Sequence, residues 1–230
     1  MSENNATISV VIVAAGNSSR MGGVNKQFLF LGKTPVLVHS LRIFDNLSEI
    51  GEIILVTRSD DMDAVKSMLT AYDIKKVKTV VPGGASRQES VCIGLEAVAC
   101  NQVLIHDGAR PFASKTEILD VIDALKTYDA AVVGVPVKDT IKRVTNDGIV
   151  VETVPRDELV AVMTPQGFRT SVIREAYEKA NADKILLTDD TSAAEYIGVP
   201  VKVIQGSYEN IKITTPEDIL YGEAICRERG

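Results

Sequence analysis

"VIVAAGNSSRMGGVNKQF", residues 11–28, is the stretch that decides the fold. A run of apolar, β-branched residues stops at Ala14-Ala15-Gly16, and the small, polar loop after it carries Arg20 and Lys26 six positions apart. An apolar run without alternation fits a strand buried on both faces, as in a parallel sheet covered by helices. Such sheets bind ligands beyond the carboxyl ends of their strands. Small side chains there let a ligand approach the backbone, and a loop of N–H groups makes a concavity for anions. Arg20 and Lys26 then supply charge-assisted bonds suited to a phosphate chain. The plainer alternative is a surface loop that happens to be rich in Gly and Ser. Two common phosphate motifs fail: there is no Gly-Lys-Ser/Thr, and Gly16, Gly22 and Gly23 have the wrong spacing for G-x-G-x-x-G.

Working outward, similar short runs recur at 52–57, 78–81, 102–106, 130–135, 160–163 and 201–204. Helix-start chemistry lies between them. Thr34-Pro35 places proline at the first helical position before "VLVHSLRIF", and Thr215-Pro216 does the same before "EDILYGEAI". Ser86 with Glu89, and Ser114 with Glu117, have the spacing of capping boxes. Alternating strands and helices predict an α/β fold, one domain over 1–230 with a mainly parallel sheet covered on both sides.

Residues 138–154, "KDTIKRVTNDGIVVETV", break the alternation and predict a β-hairpin turning at Asn146-Asp147-Gly148. Ile149, Val150, Val151 and Val154 on its return strand are too apolar to stand bare in water. The hairpin either folds back onto its own domain or is covered by another chain, and the second is favoured.

Composition narrows the partners. The chain has 230 residues, 45% apolar and 24% charged, with a net charge of −6. An acidic balance argues against broad nucleic-acid binding, though a local cluster of cations can still hold a small anion. The three cysteines lack metal-ligand spacing, the first residues lack a signal-peptide pattern, and no apolar run is long enough to span a membrane. A cytoplasmic protein is expected.

The loop "AAGNSSRMG" followed by "KQF" resembles the signature of the cytidylyltransferases that activate 2-C-methyl-D-erythritol 4-phosphate in the non-mevalonate route to isoprenoids. The resemblance continues, in the family's order, through "PGGASRQESV" (82–91), "HDGARP" (106–111) and "PVKDTIK" (136–142). It resumes at "TPQGF" (164–168), "LTDDTSAAEYIG" (187–198) and "ENIKITTPEDI" (209–219), so it spans nearly the whole chain. It implies a Rossmann-like nucleotidyltransferase domain whose hairpin arm reaches across a two-fold homodimer.

Residue by residue, the resemblance implies that Ala14, Ala15 and Gly16 border the nucleotide, and that Arg20 and Lys26 hold its triphosphate and stabilise charge at the α-phosphorus. Gly83, Gly84, Ala85 and Ser90 match the cytosine pocket. Asp107, with Gly108 beside it, matches the acid that meets a ribose hydroxyl or Mg2+. Gly108 stands where the family has alanine. Thr140, Arg156, Thr164, Thr188 and Lys212 match the pocket for the methylerythritol phosphate, with Thr140 and Arg156 reaching the neighbouring subunit and Arg156 and Lys212 orienting the incoming phosphate. His106 is read as a packed strand-end residue and Arg110 as a loop anchor.

The expected reaction joins CTP to the polyol phosphate and releases pyrophosphate. A phosphate monoester is already ionised at neutral pH, so no general base is needed, which suits a chain with two histidines. One rival is a ribitol- or ribulose-5-phosphate cytidylyltransferase, for which "LAGG" is expected in place of "AAGN". Another is a glycosyltransferase, which would show Asp-x-Asp where "HDGAR" has a single acid. A third is a non-catalytic nucleotide-binding module.

Overall fold

The computed structural model describes residues 8–16 and 25–229. In chain order the elements are β1 (Ile8–Val13), β2 (Phe30–Leu31), β3 (Thr34–Pro35), α1 (Val36–Asp45), β4 (Ile50–Thr57), α2 (Met62–Ala71), β5 (Val77–Pro82), α3 (Arg87–Glu96) and β6 (Gln102–Asp107). There follow α4 (Lys115–Ala124), β7 (Ala130–Pro136), β8 (Ile141–Val144), β9 (Val150–Val154), β10 (Val160–Arg169), α5 (Thr170–Ala182), α6 (Asp190–Tyr196), β11 (Val201–Gln205) and α7 (Pro216–Arg229).

Seven strands form one sheet in the order β11-β7-β10-β6-β1-β4-β5, and the fold is the expected α/β type with a mainly parallel sheet. Only β10 runs against its neighbours, pairing antiparallel with both β6 and β7. Successive side chains of a strand point to opposite faces, and this sorts the core. Val10 and Ile12 pack with Leu41, Phe44 and Val121 of α1 and α4, while Val11 packs with Val91, Leu95 and Ile173 of α3 and α5. Both faces are thus covered by helices, as the unalternating runs require.

From β1 the chain moves outward to β4 and β5, then returns to place β6 on the other flank of β1. The strand order reverses between β1 and β6, and a crevice opens beyond their carboxyl ends. Val13, the last residue of β1, pairs with Val56 on one side and Asp107 on the other. That end of the sheet positions the candidate site.

Three local expectations change. Thr34 and Pro35 do not begin a helix: they pair with Phe30 and Leu31, and Pro35 precedes α1 with no side-chain cap. Ser114 and Glu117 form the full capping box, but at α3 only half forms. The Ser86 hydroxyl accepts from the amide of Glu89, while the Glu89 carboxylate reaches one residue further back, to the amide of Ala85 at 2.8 Å. The run at 160–163 continues to Arg169. Pro165 has no N–H to give the ladder, and the register of β10 against β7 slips between Val162 and Gln166.

The hairpin is present, with Ile141 to Val144 paired against Val154 to Val150 as a separate two-stranded sheet. Among the described residues nothing covers its return strand: Ile149 is 65% exposed and Val151 60%.

Candidate active site

Three loops meet above β1, β4 and β6. The amide of Ala14 donates to Val56 O at 2.7 Å, and that of Gly108 to Val13 O at 2.9 Å, so the strand ends are locked together. A Cβ on Gly83 would lie 2.3 Å from Ala15 Cβ and 2.9 Å from Ser90 Oγ, so only glycine lets the loops after β1 and β5 close. The Ser90 hydroxyl accepts from Gly84 N at 3.1 Å and donates to Ser86 O at 2.8 Å, which fixes the Gly84–Ala85 backbone.

The resulting cavity is lined by Ala15, Gly16, Lys26, Gly84, Ala85, Ser90 and Asp107, among others. Ala14, Gly83 and Gly108 sit behind this lining as packing: Ala14 is buried, and a Cβ on Gly108 would lie 3.1 Å from it. Lys26 opens a single 3-10 turn, Lys26–Phe28, whose cap is Asn25, accepting from the amide of Gln27. Asn25 is itself held by Asp61, which Arg58 grips with two bonds of 2.6 and 2.9 Å. Arg20 lies outside the described residues.

A second cavity adjoins the first and shares Arg87, Asp107 and Lys212 with it. Thr164, Thr188, Gln166 and Arg110 line its other side. Asp107 therefore stands at the seam. Lys212 Nζ lies 2.6 Å from Asp107 Oδ2, Arg87 Nε 3.3 Å from Oδ1 and Arg110 Nε 3.7 Å from Oδ2. Burial works against a charged carboxylate here, but Arg87, Lys212 and Arg110 outweigh it and hold the Asp107 pKa well below the usual range.

The slip in β10 turns the Thr164 hydroxyl toward Asp107. The Asp107 amide donates to Thr164 Oγ1 at 3.1 Å, and Thr164 in turn meets His106 Nδ1 at 3.0 Å. His106 Nε2 is 3.0 Å from Arg110 O, a carbonyl that only accepts, so Nε2 carries the proton and Thr164 donates to Nδ1. Burial pushes the His106 pKa down to about 4. Both ring nitrogens are thus committed, and His106 is a structural residue. Arg110 behaves as a loop anchor, donating to Asn210 O at 2.7 Å.

Two predicted residues do not join this group within one chain. Thr140 and Arg156 are exposed on the arm and its root, and line neither cavity. Arg156 donates to Lys138 O at 3.0 Å.

Sequence reasoning missed Arg87, Asp190 and Tyr177. Arg87 donates to both Asp190 oxygens at 2.8 and 2.7 Å, and Tyr177 donates to Asp190 as well. Asp190 is completely buried. Burial opposes the Arg87 charge, yet Asp190 and Asp107 hold its pKa above the usual value. One signal was available: Arg87 begins α3, where the helix dipole disfavours a cation, so it needed acids from elsewhere.

For a metal, Asp107 is the one carboxylate among the described residues lining the first cavity, and no cluster of three or more His, Cys, Asp or Glu among the described residues could hold an ion alone. Such a donor set fits a magnesium ion arriving on phosphates, which needs only one or two carboxylates.

A family model described as IspD, 2-C-methyl-D-erythritol 4-phosphate cytidylyltransferase, matches residues 8–228. Proteins with that name from Halalkalibacterium halodurans and Alkaliphilus metalliredigens are 47% and 46% identical, each covering 96% of this chain and aligned over 97% and 94% of their own lengths. The crystal structure of 4-diphosphocytidyl-2C-methyl-D-erythritol synthase from Anaerococcus prevotii is 37% identical, with a TM-score of 0.88 over 97% of both chains. That of the Thermus thermophilus 2-C-methyl-D-erythritol 4-phosphate cytidylyltransferase is 32% identical, with a TM-score of 0.78 over 96% of this chain and 99% of that one. With sequence, fold and order of motifs in agreement, the chain belongs to the 2-C-methyl-D-erythritol 4-phosphate cytidylyltransferase family.

Proposed function

We propose that the chain transfers the cytidylyl group of CTP to 2-C-methyl-D-erythritol 4-phosphate, giving 4-diphosphocytidyl-2-C-methyl-D-erythritol and pyrophosphate, a cytoplasmic step of non-mevalonate isoprenoid synthesis. The observation that carries it is the pair of cavities meeting at Arg87, Asp107 and Lys212. One receives the nucleotide, the other the acceptor, and the seam is where two polyanions must approach.

A phosphate oxygen of the acceptor attacks the α-phosphorus. A new P–O bond forms there, the bond to the β-phosphate oxygen breaks, and pyrophosphate leaves with that oxygen. The obstacle is electrostatic, so positioning and charge carry the catalysis. Lys26, with Arg20, holds the triphosphate and the charge developing at the α-phosphorus. The Gly84–Ala85 backbone and Ser90 read the cytosine edge, with Gly83 closing the pocket behind them. Asp107 would hold a ribose hydroxyl or the magnesium ion, which when bound would offset the triphosphate charge. Lys212 and Thr188 face the acceptor phosphate, while Thr164 keeps Asp107 in place. The chain acts as a homodimer, the arm covering its apolar strand on the partner and bringing Thr140 and Arg156 to the partner's acceptor cavity.

Pyrophosphate release from CTP and magnesium tests this, with methylerythritol 4-phosphate and ribitol 5-phosphate in parallel. Turnover with the first alone is expected. Turnover with the second alone would keep the nucleotide site and overturn the acceptor.

A further inference from the structure

The arm must leave the body at a defined angle if Arg156 is to reach a neighbouring cavity, and one aromatic residue stands at its root. Tyr208 lies in the loop between β11 and α7, the loop that also carries Lys212. Its hydroxyl donates to Pro136 O at 2.7 Å, where β7 ends. Two residues on, Lys138 places Nζ 3.4 Å from the centre of the Tyr208 ring. The carbonyl of the same Lys138 accepts from Arg156 Nη1 at 3.0 Å. A chain of contacts therefore runs from the body loop through Tyr208 and Lys138 to the Arg156 guanidinium.

The loop can serve as an anchor because it is itself tied down. Ser207 N donates to Glu117 Oε1 at 2.7 Å, Gly206 N to Gly134 O at 2.8 Å, and the buried Asn210 side chain to Thr164 O at 3.0 Å. Among the described residues, the strands of the arm beyond this root pair only with each other. From these contacts we infer that Tyr208 is a positioning residue for acceptor binding in trans: it fixes the root of the arm and so aims Arg156 into the site of the partner subunit. The inference rests on the dimeric reading of the arm given above.

Tyr208 is 43% exposed at the surface, so its variants should fold. Tyr208→Ala should raise KM for the acceptor phosphate about tenfold with KM for CTP and Tm unchanged, the size expected for losing a cation–π contact and a hydrogen bond. Tyr208→Phe keeps the ring and should cost about threefold. An unchanged acceptor KM in Tyr208→Ala overturns the inference.

Heterodimers assign the direction. In a dimer of one Lys26→Ala subunit and one Tyr208→Ala subunit, the site with an intact Lys26 receives an arm whose Tyr208 is intact, so a normal acceptor KM is expected. A raised KM there means Tyr208 acts on its own subunit, and the inference falls. A Lys26→Ala subunit paired with an Arg156→Ala subunit is the control. If activity does not return in the control, the dimeric reading of the arm fails and takes the inference with it.

Discussion

The carboxyl end of the sheet and the hairpin arm carry the two halves of one proposed site, yet they are built in opposite ways. Around Asp107 the neighbours are tied in turn to others: Thr164 to His106, Arg87 to Asp190, Arg110 to Asn210, and the nearby Gly84–Ala85 loop to Ser90 and Glu89. The arm has its own ladder, a clip at the root and a row of bare valines. A densely bonded site holds its geometry before any ligand arrives, which is what charge stabilisation in a transition state demands. A sparsely bonded arm can adapt its outer face to a second surface. On the dimeric reading proposed above, the body is specified by one chain and the arm by two.

Lys26→Ala gives the largest expected effect. Its turn is fastened through Asn25 to Asp61, so the backbone should survive the change while the cation is lost. The rate of pyrophosphate release should fall on the order of 10²–10³-fold, as when a preorganised donor is removed elsewhere. A near-normal kcat would remove Lys26 from the chemistry.

Asp190→Asn tests the body from below. The variant keeps the shape but strips the buried partner from the Arg87 guanidinium, and breaking a buried pair in this way costs about 3 kcal/mol. At this chain length that lowers Tm on the order of 10 °C, and calorimetry would read it. Arg87 would then be free to turn wholly onto Asp107. A wild-type Tm would mean the pair is a bystander.

This pair also marks how far the sequence reaches. Strands announced themselves because their β-branched runs need burial on both faces, and Ser114 with Glu117 announced α4 by local chemistry alone. The second half of β10 stayed hidden because Thr164-Pro165 interrupts its run, and the slip there is what aims Thr164 at Asp107. Helices α2 and α5 have no side-chain cap to give them away. Arg87 and Asp190 are 103 positions apart, and each looks ordinary in its own segment except for the cation at a helix start. Only the folded sheet brings them to one seam. Motif order was enough to pick out Lys26, Ser90, Asp107 and Lys212, which the fold gathers, but Thr140 and Arg156 could not be placed by one chain.

Acid should expose the same contrast through His106. Its folded pKa of about 4 lies below the unfolded value of about 6.5, so the unfolded chain takes up the proton first. Stability is whole above that window and falls as pH drops through it, by an amount on the order of 3 kcal/mol. Asp107, with its depressed pKa, adds a further loss that begins as pH falls into the usual carboxylate range, where the unfolded chain takes up its proton, and continues below it. Urea midpoints between pH 7 and 4 should show the fall, and His106→Gln should flatten it. An equally steep fall in the variant would place the titration elsewhere.

The smallest effect comes from two glycines. Gly108 in the body is crowded: an added Cβ would lie 3.1 Å from Ala14 Cβ and 3.2 Å from Leu37 Cδ1. Gly148 in the arm has open space around it but a φ of +79°, which L residues avoid. Gly108→Ala loses by crowding roughly what it gains by stiffening the unfolded chain, so global stability should move by less than about 1 kcal/mol. Gly148→Ala should cost about 1 kcal/mol of backbone strain, but only within the hairpin. Global Tm should therefore stay put while hydrogen exchange at Thr145 and Ile149, whose amides close the turn, speeds up. A global loss from Gly148→Ala would mean that arm and body unfold as one unit, and the contrast between them would fail at its weakest contact.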